Sequence, residues 1–437
     1  MADLASLDHR HVWHPFTQHT RWASAPPLII DRADGCMLID NEGKAYLDGV
    51  SSLWTNVHGH RHPHIDAAVR AQLDRVAHTT LLGLASTPSI ELAARLAEVT
   101  PPGLSRVFFS DNGSTATEVA LKMAYQYHQQ TGQPQRTRFA GLQDGYHGDT
   151  LGAVAVGSID LFHAVYRPLL FDAVALPAPK TPGGDEEADC LERALALLDE
   201  HGETLAAVIV EPLVQGAAGM KMHTEAYLGP LVERAKAHGV LVIADEVAVG
   251  FGRLGSLFAM EQLGVAPDML CMAKGLAGGY LPLAATATTE TVYEAFLGAP
   301  TEYKQFFHGH TFTGNPLACA AALASLELFE TSDVLDHVRR LVPVLRRGLA
   351  ELEAHPAVAA IRQRGVMVGI DLQARDGTAL EPSAASGHRV AMACRPLGAI
   401  IRPLGDTLVL NPPLAIRAEE LERLVGIVAT AIDETIR

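Results

Sequence analysis

Residues 239–253 read GVLVIADEVAVGFGR. Residues 240–244 are apolar without alternation, the pattern of a strand covered on both faces. The run stops at two adjacent carboxylates, Asp245 and Glu246. A second such run, AAVIVEP, occupies residues 206–212, and the helix-like LGPLVERAKAHG lies between the two. Strand–helix–strand order predicts a parallel sheet with helices on both faces. Upstream, RVFF at 106–109 precedes a helical pattern with Ala116, Val119, Ala120, Met123 and Tyr127 on one face.

The chain has 437 residues, 48% hydrophobic and 19% charged. That length exceeds one ordinary core, so two domains are expected. Residues 28–48 alternate short apolar runs with Asp-Gly and Glu-Gly turns. They read as an N-terminal segment, 1–62, that contributes to a smaller domain. The alternating α/β pattern covers 63–330. Residues 331–437 read as an α+β domain closed by a helix with Leu421, Leu424, Val428 and Ile432 in phase. A long helix starts near Ser332, with Leu335, Val338, Leu345, Leu349 and Leu352 aligned, and Pro343 is expected to kink or break it. TPGGDEEADC, 181–190, reads as a solvated loop.

The formal charge of −16 excludes the basic surplus of a nucleic-acid binder. The first residues carry no basic and apolar leader, and no stretch is apolar for the ~18 residues of a membrane span. Five dispersed cysteines without a CxxC pair read as reduced thiols, and the cytoplasm is the expected compartment.

Ligands of parallel α/β sheets bind beyond the carboxyl ends of the strands, where Asp245 falls. A carboxylate there needs a cation, a helix N-terminus or an ion-pair partner. Twenty-nine residues on, PDMLCMAKGLAGGYLP sets Lys274 after an apolar run. Lys274 either reaches the surface or is a desolvated amine of the Schiff-base kind. Together Asp245 and Lys274 suggest pyridoxal phosphate, which needs a lysine for its aldehyde and an acid for its ring nitrogen. FFSDNGSTATE, 108–118, offers a helix N-terminus. The Gly113 and Ser114 N–H groups there can meet a phosphate, or the motif is an ordinary cap. DGYHGDT, 144–150, puts Tyr146 in a glycine-framed loop, over a cofactor ring or over the core.

Five segments in order, DGYHGDT, EPLVQGAAGM, DEVAVGFGR, MAKGLAGGYLP and HGHTFTGNPLACAAAL, resemble the class III aminotransferases. The likeness runs from about residue 10 to the C-terminus. It implies the α/β fold type I of pyridoxal-phosphate enzymes, with a mainly parallel seven-stranded sheet in the large domain plus a smaller α+β domain. It implies Lys274 as the Schiff-base lysine, Asp245 on the pyridine nitrogen, Gly113 and Ser114 on the phosphate, and Tyr146 on the ring. Glu211 and Gln215 would lie near the ring hydroxyl. Thr311, with His310 and Gly309, would reach a neighbouring subunit's site, making the enzyme a homodimer with shared sites. Arg253 would lie near the substrate. The partners implied are a small amino donor and a keto acceptor.

HVWHPFTQ, SSLWTNVHGH and IIRPLGDTLVLNPP resemble the branch that aminates 8-amino-7-oxononanoate for biotin. Phe16, Leu53, Trp54 and Tyr146 would line its pocket, and Arg402 would grip the substrate carboxylate. Many relatives hold a Glu after the Gln-Gly, and Ala217 stands there instead. Members that use S-adenosylmethionine usually carry Tyr, Trp and Tyr where Phe16, Leu53 and Val409 stand. The expectation is therefore lysine as donor, with S-adenosylmethionine next and a broad ω-amine transaminase third. GFGRLG, 250–255, matches a dinucleotide fingerprint, but Asp245 and Glu246 would repel a pyrophosphate, so a nicotinamide oxidoreductase is a distant alternative. His58, His60, His62 and His64 could gather a metal, but Gly59 and Pro63 spoil a regular strand. A hydrogen-bonded loop without metal is expected.

Overall fold

The computed structural model describes residues 3–437. Its centre is a seven-stranded sheet in the order Leu104–Ser110, Ala284–Thr289, Met269–Met272, Leu241–Asp245, Leu205–Val210, Arg138–Leu142, Ala173–Leu176. Every pair is parallel except the two made by Ala284–Thr289. The continuous apolar runs have a direct cause. Val208, Val210 and Val242 pack with Leu231 and Val232 of helix Glu225–Ala237 on one side. Ala207, Ile209 and Ile243 pack with Ala116, Val119 and Ala120 of helix Gly113–Gln130 on the other.

The N-terminal strands Ile30–Asp34, Met37–Asp40 and Ala45–Asp48 form a meander. Its last strand pairs in parallel with Ala399–Ile400, far along the chain. A separate antiparallel sheet joins Val358–Arg364, Met367–Leu372, Thr407–Leu410 and Arg402–Leu404. Helices Val334–Glu353 and Ala418–Thr435 bury their apolar faces in the same core.

Two expectations are corrected. Residues 184–190 are not a loop but the first turns of helix Gly184–His201. Asp185, Glu186 and Glu187 sit in its first turn, where acid favours a helix start. The Glu187 carboxylate also accepts from the Gly183 N–H and, at 3.2 Å, from the Thr224 N–H. Helix Val334–Glu353 runs through Pro343 without a break. Pro343 lies on the exposed face, so water can satisfy the carbonyl that loses its donor.

The second acid of the opening stretch is structural. Glu246 is fully buried and accepts from the Ala259 N–H at 2.7 Å and the Met260 N–H at 2.8 Å. It fastens the turn Ala259–Leu263 beneath the strand end. Burial pushes its carboxyl up to about 8. Glu246→Ala would strand two buried N–H groups, each costing about 1–3 kcal/mol. Urea unfolding should show a loss of roughly 3 kcal/mol or more; an unchanged midpoint would contradict this role.

Candidate active site

A cavity of about 820 Å³ opens beyond the carboxyl ends of the central strands. Asp245 enters it from the end of Leu241–Asp245, and Lys274 enters just after the neighbouring strand Met269–Met272. Parallel pairing of Asp245 with Cys271 puts both ends at one edge of the sheet.

Asp245 is buried, and its two oxygens are spent differently. Oδ2 meets His147 Nδ1 at 2.7 Å, and Oδ1 accepts from the Val247 N–H at 3.1 Å. His147 is itself buried, and its Nε2 has no partner among the described residues. Burial lowers the Lys274 ammonium, against the pull of Asp245 and Glu211, so its neutral form is within reach. The Lys274 Nζ stands 4.8 Å from the Trp54 ring centre.

Helix Gly113–Gln130 starts on the cavity wall. Its Asn112 cap spends Oδ1 on the Thr115 N–H at 3.1 Å. The Gly113 and Ser114 N–H groups come earlier, where a helix offers no internal acceptor. A Cβ on Gly113 would come within 2.6 Å of Val247 Cγ1. That glycine therefore keeps a close cradle of free N–H groups at a positive helix end. Across it, Ser114 Oγ accepts from the Asp149 N–H at 3.0 Å.

Glu211 accepts from the Tyr146 N–H at 3.0 Å and the Gly216 N–H at 2.9 Å. Burial pushes its carboxyl up to about 7. Tyr146 donates its hydroxyl to Asp149 Oδ2 at 2.9 Å, and its ring lies parallel to His163 at 6.2 Å. Phe16, Leu53, Trp54, Ala217 and Arg402 complete the far wall. The Arg402 guanidinium stands 6.0 Å from the Phe16 ring, is lowered by burial, and has no side-chain partner among the described residues.

Leu53 and Trp54 reach the cavity from an unusual backbone. Ser51, Ser52, Leu53 and Trp54 have φ of 50°, 49°, 76° and 66°. Left-handed backbone costs an L-residue about 1–2 kcal/mol, and four follow in succession without a glycine.

The remaining expected residues stand elsewhere. Arg253, expected near the substrate, is a buried strut off the cavity wall. It donates to Ser51 Oγ at 3.0 Å, Asn411 Oδ1 at 3.2 Å, Pro412 O at 2.8 Å and Asn56 O at 2.8 Å. A guanidinium with that many acceptors is spent on the protein itself. Gln215 donates to Gln143 O at 2.8 Å, behind the wall. Gly309, His310 and Thr311 do not line this cavity, though His310 Nδ1 lies 2.9 Å from Asp111 on its wall. Three of the four histidines have separate partners, His58 with Ser325 at 3.0 Å, His60 with Asp48 at 2.9 Å and His64 with Glu327 at 2.7 Å, and the His62 ring lies 6.1 Å from that of His58. No metal-sized group of His, Cys, Asp and Glu occurs among the described residues. The His147–Asp245 pair escaped sequence reading, although His147 stands beside Tyr146 in DGYHGDT.

Against known proteins, the pattern of the family "Aminotransferase class-III" matches residues 19–432. The chain is a class III aminotransferase. Its adenosylmethionine-8-amino-7-oxononanoate aminotransferase relative from Nitratidesulfovibrio vulgaris is 55% identical, over 99% of this chain and 82% of the relative. The crystal structure of the enzyme of that name from Methanocaldococcus jannaschii superposes with a TM-score of 0.95 at 41% identity, covering 99% of each chain. An amine transaminase from an uncultivated Pseudomonas species, solved in its PLP-bound form, gives 0.90 at 34% identity, covering 97% of this chain and 99% of the other.

As a class III enzyme this aminotransferase is pyridoxal-phosphate dependent. Its cavity fits the group. The lining holds a desolvated amine, a buried carboxylate and the N–H groups of a helix start at Gly113, a glycine packed on Val247.

The raised Glu211 carboxyl has a pH consequence. Its stabilising contribution is complete below the ordinary carboxylate range, and it is lost as pH rises toward about 7. Melting the cofactor-free protein between about pH 4.5 and 7 should show this decline. Glu211→Gln should make the slope shallower, leaving the share that the raised Glu246 contributes in the same sense, and an identical slope in the variant would refute the assignment.

Proposed function

We propose that this aminotransferase transfers an amino group to 8-amino-7-oxononanoate, a step of biotin synthesis, with lysine as the donor. The observation that carries the acceptor is Arg402. A half-buried guanidinium faces the cavity beside Phe16 and Ala217, with no acid to neutralise it. That arrangement suits the carboxylate of a long aliphatic keto acid, which guanidinium binds bidentately. The relatives named as 8-amino-7-oxononanoate aminotransferases support the same acceptor.

Pyridoxal phosphate, when bound, supplies an electron sink for a carbanion at the amine-bearing carbon. Lys274 would hold it and Asp245 would face its ring nitrogen, with His147 Nδ1 and the Val247 N–H orienting that carboxylate. Gly113 and Ser114 would seat the phosphate, Tyr146 would cover the ring, and Glu211 would stand near the ring hydroxyl. Lys274 Nζ, made less basic by burial, takes the proton from the donor carbon and returns it as a general acid. Leu53, Trp54 and Phe16 give that exchange an apolar wall.

Lysine is favoured by the far wall itself. Phe16 and Leu53 line it, and buried Val409 packs with Trp54, so it lacks the hydroxyls and second indole suited to an adenosyl sulfonium. S-adenosylmethionine is the second reading, supported by the relatives' names.

The layout proposed is a large part, 63–330, with 1–62 and 331–437 forming the smaller one. The parallel pairing of Ala399–Ile400 with Ala45–Asp48 supports it. A homodimer is proposed, in which His310 and Thr311 serve the partner's phosphate site and Gly309 lines a substrate site. The exposure of Phe307 and Phe312 on either side supports an interface there. No helix is long and apolar enough to cross a membrane among the described residues. The five buried free cysteines suit a reducing, cytoplasmic setting.

The deciding experiment follows the long-wavelength absorbance of the bound cofactor. Lysine alone should bleach it, S-adenosylmethionine should not, and 8-amino-7-oxononanoate should restore it. Bleaching by S-adenosylmethionine alone selects the second donor. Failure of 8-amino-7-oxononanoate to restore the band removes the biotin assignment. Arg402→Ala should raise the acceptor KM about 10- to 100-fold, the loss of one charged hydrogen-bonding partner. For the dimer, sedimentation should give twice the chain mass, and Thr311→Ala should weaken cofactor binding; a monomer with full affinity would overturn it.

A further inference from the structure

Four consecutive left-handed residues carry one side of the cavity, none is glycine, and two of them, Leu53 and Trp54, line it. The turn closes on itself: the Trp54 N–H donates to Val50 O at 2.7 Å and the Thr55 N–H to Ser51 O at 3.0 Å. Glycine would adopt this backbone without steric cost. It would also remove every side chain the wall uses. Ser51 and Ser52 fasten the turn, while Leu53 and Trp54 face the cavity.

The fastening is specific. Asp48 is buried, and Oδ1 accepts from the Ser52 N–H at 2.9 Å while Oδ2 accepts from the Ser52 hydroxyl at 2.8 Å. His60 Nε2 holds the same Oδ2 at 2.9 Å, and Asn56 holds the other ring nitrogen of His60 at 3.2 Å. Ser51 Oγ donates to Asn411 O at 2.5 Å and accepts from Arg253. The turn is thus gripped from the N-terminal strands and from the loop after Thr407–Leu410. Its product is the position of Trp54, whose ring packs against Gly216 so closely that a Cβ there would lie 2.9 Å from Cζ3. The same ring meets the Lys274 amine.

We infer that Ser51–Trp54 is a strained substrate wall and that Asp48 is the positioning residue that holds it in the left-handed form. Asp48 touches neither the cavity nor Lys274; it acts through Ser52 on Leu53 and Trp54. The inference rests on the proposed substrate pocket and deepens it, since the fit of donor and acceptor then depends on a residue outside the wall.

The test uses the holoenzyme and whichever donor, lysine or S-adenosylmethionine, the parent protein accepts. Asp48→Ala releases the turn and should raise donor KM about tenfold or more, as loss of a charge-assisted bond implies. Cofactor affinity, titrated by absorbance, should stay within about twofold, because the turn holds no cofactor-binding group. Asp48→Asn keeps the shape and an acceptor for the Ser52 N–H, so it should remain near the parent KM. Ser52→Gly in the Asp48→Ala background should recover part of the lost KM, since glycine enters the left-handed region without the steric cost that Asp48 offsets. An unchanged KM in Asp48→Ala, an equal loss of cofactor affinity, or a failed glycine rescue would each overturn the inference. If Asp48→Ala does not fold, Leu53→Gly decides by melting temperature. Relief of strain predicts a rise, and a fall overturns the idea. A parent enzyme that accepts neither donor would instead strike the proposed function and leave the melting test standing.

Discussion

A carboxylate at the buried end of a central strand is stable only where its charge is met. Asp245 is that group, and the architecture around it is compensation. His147 and the Val247 N–H hold its two oxygens, and the Lys274 amine opens into the same cavity. A cation in a low-dielectric site would ordinarily strengthen such a pair, but burial weakens the Lys274 ammonium itself.

The neighbouring acids divide the work. Asp245 faces the cavity. Glu246 points the other way, is satisfied by two backbone N–H groups, and carries only structure. Glu211 lies between these roles: it lines the cavity, and both oxygens anchor backbone, one at Tyr146 and one at Gly216, fixing two parts of the wall at once. Three buried carboxyls near one site would repel if all were ionised, and the raised values of Glu211 and Glu246 ease that conflict. The opposite wall draws on a different reserve, backbone strain, held by Asp48 and Arg253 from outside the cavity.

Much of this was legible in the residues. The unalternating runs at 206–210 and 240–244 announced a doubly covered parallel sheet, because only strands with two apolar faces need them. Lys274 after an apolar run and Asp245 at a strand end announced a cofactor of a particular chemistry. Other features were hidden for physical reasons. The acids of 184–190 looked like a loop because composition hides a helix dipole's preference for negative charge at its start. Pro343 looked like a break because periodicity does not tell which carbonyls water can reach. Arg253 was expected near the substrate from the resemblance, which does not reveal where a long side chain finds its acceptors, here Ser51, Asn411, Pro412 and Asn56.

The sequence by itself therefore determined the periodic core, the order of strands and helices, and the family. Those signals are local: they depend on hydrophobic spacing and on functional groups that no other residue supplies. Only the tertiary structure decided that His147 orients Asp245, that Arg402 stands without an acid partner, and that Asp48 clamps a left-handed turn. Each of these is a meeting of distant segments, 98 residues apart for the first. Such meetings depend on which strand ends share an edge and which backbone is forced out of its ordinary region, and these are properties of packing.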